Sequence, residues 1–341
     1  MFKKRVFAPL VLILVLVALA GIVQYQLNNN FWWAKTLTKH LNASNKELKV
    51  REIVIDDAHV DFIKGVALFQ GVAIKLKISS VSYFLSVGKC RIENILALLN
   101  PKAILNVDVN HLALVSDSVN ASDVGFEGKV ILVNRAFDSY EGNIETPSLM
   151  YNQVAITDLR ALIHGDSQTV KISKIDNHFY GGKVLGDVLI GLGEDNNLSV
   201  NINFNGVDLS LMEPINQEVF SQMHGLIDGQ VQLTSKQGHV TAFRGRAIAP
   251  KGGIIKAELL KFLAQYVPQR AQIEALIAQQ QMVPLDKAQL ETVSFNDEKF
   301  ASQIRLFSSQ LNLDMNITLD INIDGGFKAL MKYAGILGDN L

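Results

Sequence analysis

One cysteine, Cys90, in 341 residues rules out an intramolecular disulfide and leaves no thiolate cluster for a metal. The chain also lacks an excess of charge. It carries 32 basic and 33 acidic residues, a net charge of −1, with no long block of one sign. A nucleic-acid footprint needs a clustered basic face, so nucleic acid is excluded as a partner. Catalytic signatures are missing as well. There is no nucleophile elbow, no H-E-x-x-H, no phosphate-cradling glycine loop and no G-x-G-x-x-G after a strand. The seven histidines (His40, His59, His111, His164, His178, His224 and His239) are scattered without ligand spacing. Two partial matches fail on inspection. Asp320-x-Asn322-x-Asp324-Gly325 opens like a calcium loop, but Met331 stands where a bidentate glutamate belongs. Ser86-Val87-Gly88-Lys89 fits Ser-x-x-Lys, with no partner motif after it. Asp56-Asp57 reads as a solvated acidic pair at a strand end. The chain is therefore not expected to be an enzyme, and no metal or cofactor is expected.

What the chain has is apolar residue in two arrangements. It is 48% hydrophobic with a mean hydropathy of +0.19. Part of this is one N-terminal run, Val6–Val23, preceded by Lys3, Lys4 and Arg5. Its 18 residues rise about 27 Å as a helix, close to the hydrocarbon thickness of a bilayer. The charges before the run place the N-terminus in the cytoplasm and the bulk of the chain outside. Trp32 and Trp33 fall where an interfacial aromatic belt would sit. Ala18-Leu19-Ala20 has the form of a signal-peptide cleavage site, but apolar residues continue through Val23. The expected organisation is a cytoplasmic N-terminus and transmembrane anchor over residues 1–27, an interfacial helix or linker over 28–47, and a β-rich exported domain over 48–341.

The second arrangement is period-two alternation. In Leu311–Asp324, Leu311, Leu313, Met315, Ile317, Leu319, Ile321 and Ile323 point one way and polar residues the other. Val200, Ile202 and Phe204 alternate with asparagines in the same manner. Such segments recur every 8–15 residues between Gly, Asn, Asp and Ser turns, which predicts a long antiparallel meander rather than βαβ units. The expected fold is mainly β: a curved sheet or groove with an apolar inner face. Ile92–Leu99 is a short helical interruption ended by Asn100-Pro101. After Gly252-Gly253, apolar spacing at Ile255, Leu259, Phe262, Leu263 and Tyr266, then Ile273, Leu276 and Ile277, predicts a helical pair over residues 255–281. It serves either as a core cover or as a lid. An aromatic two residues before a glycine recurs at Phe69, Phe126, Tyr140, Tyr180 and Phe243, as expected of rings that shield strand glycines.

The order of these features resembles the AsmA-like family of envelope proteins. The resemblance rests on the Lys3-Lys4-Arg5 anchor, the passage Ile78–Leu114 with Ile95-Leu96-Ala97-Leu98-Leu99-Asn100-Pro101, and Phe179-Tyr180-Gly181-Gly182-Lys183-Val184 leading into Gly186-Asp187-Val188. Gly225–Val231, the helical pair and the closing amphipathic strands complete it. It implies an inner-membrane anchor in a Gram-negative-type envelope, a periplasmic β-groove, and phospholipid transport or outer-membrane homeostasis. The partners it implies are phospholipid acyl chains, the inner membrane and other envelope proteins. Seven apolar side chains on one strand need a cover, because burying each is worth about 1.5–3 kcal/mol. On this reading Leu311–Ile323 and Val200, Ile202 and Phe204 contact lipid. The alternative is an assembly scaffold that takes client strands onto its sheet edges by β-addition. At 341 residues the chain is short for the family. Some 14–16 strands at about 4.8 Å span roughly 70 Å, so crossing an envelope would call for a partner or an oligomer.

Overall fold

The computed structural model describes residues 34–322 apart from 36–37, 40–41, 43–47, 62–63, 79–80, 135, 193–196, 238, 266, 269, 279 and 296–298. Val6–Val23, Trp32, Trp33 and Ile323 lie outside the described residues. No helix among the described residues is long and apolar enough to cross a membrane.

The chain is mainly β. In order come β1 (Leu48–Asp61), β2 (Val66–Ile78), β3 (Val81–Glu93), the 3₁₀ turn Ile95–Leu99, β4 (Lys102–Val115), β5 (Val119–Val133), β6 (Ala136–Tyr151), β7 (Val154–Asp166), β8 (Thr169–Phe179), β9 (Gly182–Gly191) and β10 (Leu198–Asp208). Then follow α1 (Gln217–Phe220), β11 (Met223–His224), β12 (Leu226–Lys236), β13 (His239–Ala249) and β14 (Gly253–Lys256). The chain continues through α2 (Ala257–Ala264), α3 (Arg270–Ile277), β15 (Met282–Leu285), β16 (Lys287–Phe295), β17 (Lys299–Ser308) and β18 (Leu313–Asn322). Fifteen strands form one antiparallel meander in the order β1–β10, β12, β13, β16, β17, β18. The short strands β11, β14 and β15 make a separate three-stranded sheet.

Two compact units divide the chain. The first holds residues up to Asn152 with Thr157–Ile175 and Ile190–Glu194; the second holds Gln153–Ile156, Asp176–Leu189 and Asp195–Leu341.

In the first unit the apolar face is a finished core. Phe69, Ile74, Cys90, Ile92, Leu105 and Val130 are each 0% exposed. Apart from the 3₁₀ turn, whose Ile95 is buried, the core residues all come from the strands themselves. A flat single sheet would leave that face wet, so this sheet bends round its own apolar side. The bend has a local cause. Buried residues along β1 to β5 step mostly by two, and each strand has a step of three at one level: Ile55 to Ala58, Phe69 to Val72, Val87 to Cys90, Leu112 back to Val109, and Ala121 to Val124; β1 has a second, Val50 to Ile53, at its own register shift. From β1 to β4 these steps stand directly opposite one another, since Ile55 faces Val72, Val72 faces Val87, and Val87 faces Leu112. The register then shifts on either side of Leu112, which faces Val124. At this level Gly71, His111 and Asp123 hold φ of 60°, 57° and 56°, and Asp158 and Lys174 on β7 and β8 hold 51° each. Residues in the left-handed region inside a strand mark bulges, which bend the strand and raise its twist. The result is a crease across the unit. His111 Nδ1 and Asp123 Oδ1 meet at 2.6 Å across it. Asp56-Asp57 lies inside β1 at this crease, both residues exposed, rather than at a strand end.

The second unit has a smaller core. Leu260, Leu263 and Ala264 of α2 and Ile273 and Ile277 of α3 gather with Leu306 of β17 and Leu313, Met315 and Ile317 of β18. The helical pair therefore covers the closing strands. Its limits differ from the spacing-based expectation. Ile255 belongs to β14, where it pairs with Met223 and Val283. Phe262 is 50% exposed while Leu260 is 0%. The short strands hold Ile255 before the helix starts, and that shifts the buried helical face.

Candidate functional site

The site is a sheet face in the second unit, built from pairing register. Opposed residues in an antiparallel ladder share a face. Phe204 faces Gly229, Gly229 faces Ala247, Ala247 faces Leu290, Leu290 faces Ile304, and Ile304 faces Ile317. A second row runs Val200, Leu233, Phe243, and a third Ile202, Val231, Gly245. The opposite face is polar: Asn203, Gln230, Arg246 and Glu291 form one row and Asn201, Gln232 and Arg244 another.

Cover changes along the first row. Ile317 at its β18 end is 1% exposed beneath the helical pair. Leu290, two strands earlier, is 46% exposed. Phe204, Gly229 and Ala247 are half-buried, as are Val200, Ile202, Val231, Leu233 and Phe243. The face is therefore continuous and partly bare from β10 to β16, and apolar apart from the Thr292 hydroxyl, which accepts from Gly245 N–H at 3.2 Å. Its glycines lie flat under rings. A Cβ at Gly229 would stand 2.5 Å from Phe204 Cζ, and one at Gly245 3.3 Å from Phe243 Cζ. In the first unit Phe126 lies over the opposed pair Gly128 and Gly142, and Tyr140 lies over Gly165. Aromatic shielding of strand glycines thus holds in the cases of Phe126 and Phe243, while Tyr140 shields a different glycine from the one two residues on.

The residues singled out by alternation fall into three environments. Leu313, Met315 and Ile317 are buried under protein, with Leu319 half-buried beside them. Leu311 is half-buried in the turn before β18, which starts at Leu313 rather than earlier. Ile321 is on β18, and Ile323, Trp32 and Trp33 fall outside the described residues. Val200, Ile202 and Phe204 lie on the bare part of the face. Leu233, Phe243, Ala247 and Leu290 complete it. Leu233 and Phe243 sit in short alternating runs that already carry the signal. Only register, however, shows that these strands share rows.

A concavity of about 800 Å³ opens on the polar side of the first unit, among Arg91, Asp108, Glu127, Lys129, Glu141 and His164. Charges of both signs alternate there: Arg91 faces Asp108 and Lys129 faces Glu141. Among the described residues no group of three or more His, Cys, Asp or Glu side chains could hold a metal ion. Cys90 is fully buried, and burial, with Asp108 nearby, pushes its thiol pKa up, so it is no nucleophile.

Comparison with known protein families, with characterised proteins and with solved structures finds no match.

Proposed function

We propose that this chain is a lipid-binding protein of a Gram-negative-type envelope and a short member of the AsmA-like group. In this reading Val6–Val23 anchors it in the inner membrane, the bulk of the chain is periplasmic, and the apolar face from β10 to β16 takes phospholipid acyl chains. The function is phospholipid transport or outer-membrane homeostasis by passive movement along the face, with no covalent step.

The observation that carries this reading is the row Phe204, Gly229, Ala247, Leu290, apolar throughout and 46% exposed at Leu290. Four strands span about 14 Å across the sheet. Half the hydrocarbon core of a bilayer is about 15 Å, so one extended acyl chain matches the row. Large bare apolar patches on proteins mark binding surfaces, and the absence of a polar side chain from this row suits a hydrocarbon better than a polar solute.

The test places a photoreactive residue at Ile202 in one variant and at Asn203 in another, in cells. The two positions share strand, depth and expression level and differ only in face. Phospholipid captured at Ile202 and not at Asn203 is the expected result. Protein crosslinks alone at Ile202, with no lipid, would overturn the reading.

A further inference from the structure

The far end of the first unit, where the chain enters it, has a surface of a different kind. Ala34 packs against the core of that unit. The Asn42 side chain accepts from Val50 N–H at 2.7 Å and donates to Val50 C=O at 3.2 Å. The incoming chain is thus fastened to the start of β1. From Val23 to Ala34 it spans at most about 40 Å, so this end cannot be far from any bilayer that holds Val6–Val23.

On the outer face beside that fastening, Lys49 stands directly opposite Lys77. Like charges opposed across a ladder destabilise it, and neither lysine makes an ion pair with another described residue. Lys35, Lys39 and Arg51 are exposed nearby in the chain and likewise have no such ion pair. The next row carries Glu52 paired to Lys75 at 2.7 Å, then Phe84, Val115, Asn120 and Met150. Phe84 is 39% exposed, Val115 43% and Met150 44%, although all three lie in the polar phase of their strands. Asp117 is the exposed carboxylate of the adjoining β4–β5 turn. Lysines without an ion pair among the described residues, beside apolar side chains on one face, match an interfacial binding surface. The apolar groups enter the headgroup layer and the lysines meet anionic headgroups.

We infer that this corner of the first unit, centred on Lys49, Lys77, Phe84, Val115 and Met150, lies against the bilayer surface and binds anionic lipid headgroups. The inference rests on the anchor reading above. It adds an orientation: the unit lies on the membrane instead of hanging free from a tether. Anionic headgroups would also relieve the Lys49–Lys77 repulsion.

The test uses the full-length protein in phosphatidylcholine vesicles, with and without phosphatidylglycerol, carrying a fluorophore at Ser82→Cys or at Asn143→Cys. Both sites are exposed on the same unit and face. Ser82 adjoins Lys77 in register, whereas Asn143 lies in the row of Arg91, roughly 30 Å further along the strands. Cys90 is 0% exposed and stays unlabelled. Brominated lipid should quench position 82 in phosphatidylglycerol vesicles, less in phosphatidylcholine alone, and position 143 in neither. Lys77→Glu should reduce the quenching at 82 while raising the melting temperature, because it puts opposite charges across the ladder. A purely structural role for Lys77 predicts no loss of quenching. Protein that floats with vesicles but shows equal quenching at both positions, or none, overturns the inference and leaves the anchor standing. Protein that does not float overturns both.

Discussion

Leu105 and Leu290 are both leucines on the apolar face of a long antiparallel strand. The first is 0% exposed and the second 46%. The two faces obey the same alternation rule, so alternation does not decide whether a face becomes core. The difference lies in the bends. In the first unit Gly71, His111, Asp123, Asp158 and Lys174 each put a left-handed residue inside a strand, and those on β2, β4 and β5 fall at one level. In the second unit the described strand interiors hold one such residue, Gly206, at the β10 register shift. The apolar positions of β13 (Phe243, Gly245, Ala247, Ala249) and β18 (Leu313, Met315, Ile317, Leu319) step by two throughout. A creased sheet can bring its apolar sides together. The sheet of the second unit, whose register shifts at Thr234/Ser235 and Thr292/Ser294 carry no left-handed residue, keeps its face open unless something else covers it, as α2 and α3 cover β18.

The comparison breaks most visibly under truncation. Leu105→Ala should cost about 2–5 kcal/mol, the range for a leucine lost from a packed core. Leu290→Ala should cost no more than about 0.5 kcal/mol, as for a surface change. Urea unfolding of the two variants measures both. Equal costs would mean that the face around Leu290 is covered, and the proposed lipid path would go with that result.

The crease itself gives the next effect. Gly71 holds φ 60°, and a Cβ there would collide with the Asp56 side chain. Gly71→Ala should therefore destabilise by about 1–3 kcal/mol. Gly245→Ala, on the open face, meets only the Phe243 ring edge and Thr292 Oγ1 at 3.3–3.4 Å and should cost less than about 1 kcal/mol. Thermal melts separate the two. If Gly71→Ala were neutral, the left-handed residues would not be what holds the first unit closed.

Much of this was readable in the sequence, and the unread part has physical reasons. The meander was legible because strands alternate and turns punctuate them. Spacing alone misphases the buried face of α2, because Ile255, apolar and two residues after a glycine pair, fits a helix start as well as the short strand that it occupies. The crease leaves a trace in the sequence. Val107 and Val109 are followed by Leu112 and Leu114, so the alternation slips by one residue at His111. Read as a single strand face, that slip looks like noise. It becomes a bend only when neighbouring strands slip at the same level, and register supplies that, not periodicity. The open face is similar: Val200, Ile202 and Phe204 were visible singly, but their row-mates depend on which residue opposes which.

A smaller effect tests the edges of the sheet. At β1 the Asn42 amide takes up both polar groups of Val50; β18 pairs with β17 over ten residues without a register shift. Asn42→Ala should cost about 1 kcal/mol and speed amide exchange at Val50 without changing it at Leu105. Unchanged exchange at Val50 would mean that the amide caps nothing.

The smallest effect concerns the turn between β7 and β8 and depends on pH. Asp166 Oδ1 accepts from Gln168 N–H and Thr169 N–H, both at 2.7 Å. These backbone donors, Gln168 first, hold its carboxyl below the ordinary carboxylate range; the Thr169 hydroxyl and His164 act in the same direction. A carboxylate with a lowered folded pKa adds stability that is fully present above its unfolded value, about 3.9. That stability is lost as the pH falls through the lower folded value. Asp166 is only half-buried, so its share is small. Asp166→Asn should therefore narrow the gap in melting temperature from wild type as the pH drops from neutrality into the acid range. The same experiment with Asp286→Asn, whose carboxylate accepts from Ser309 N–H in the second unit, supplies the paired measurement. Both gaps should close on the acid side. A gap that stayed constant with pH would mean that the turn is held by its backbone shape and not by the charge on the aspartate.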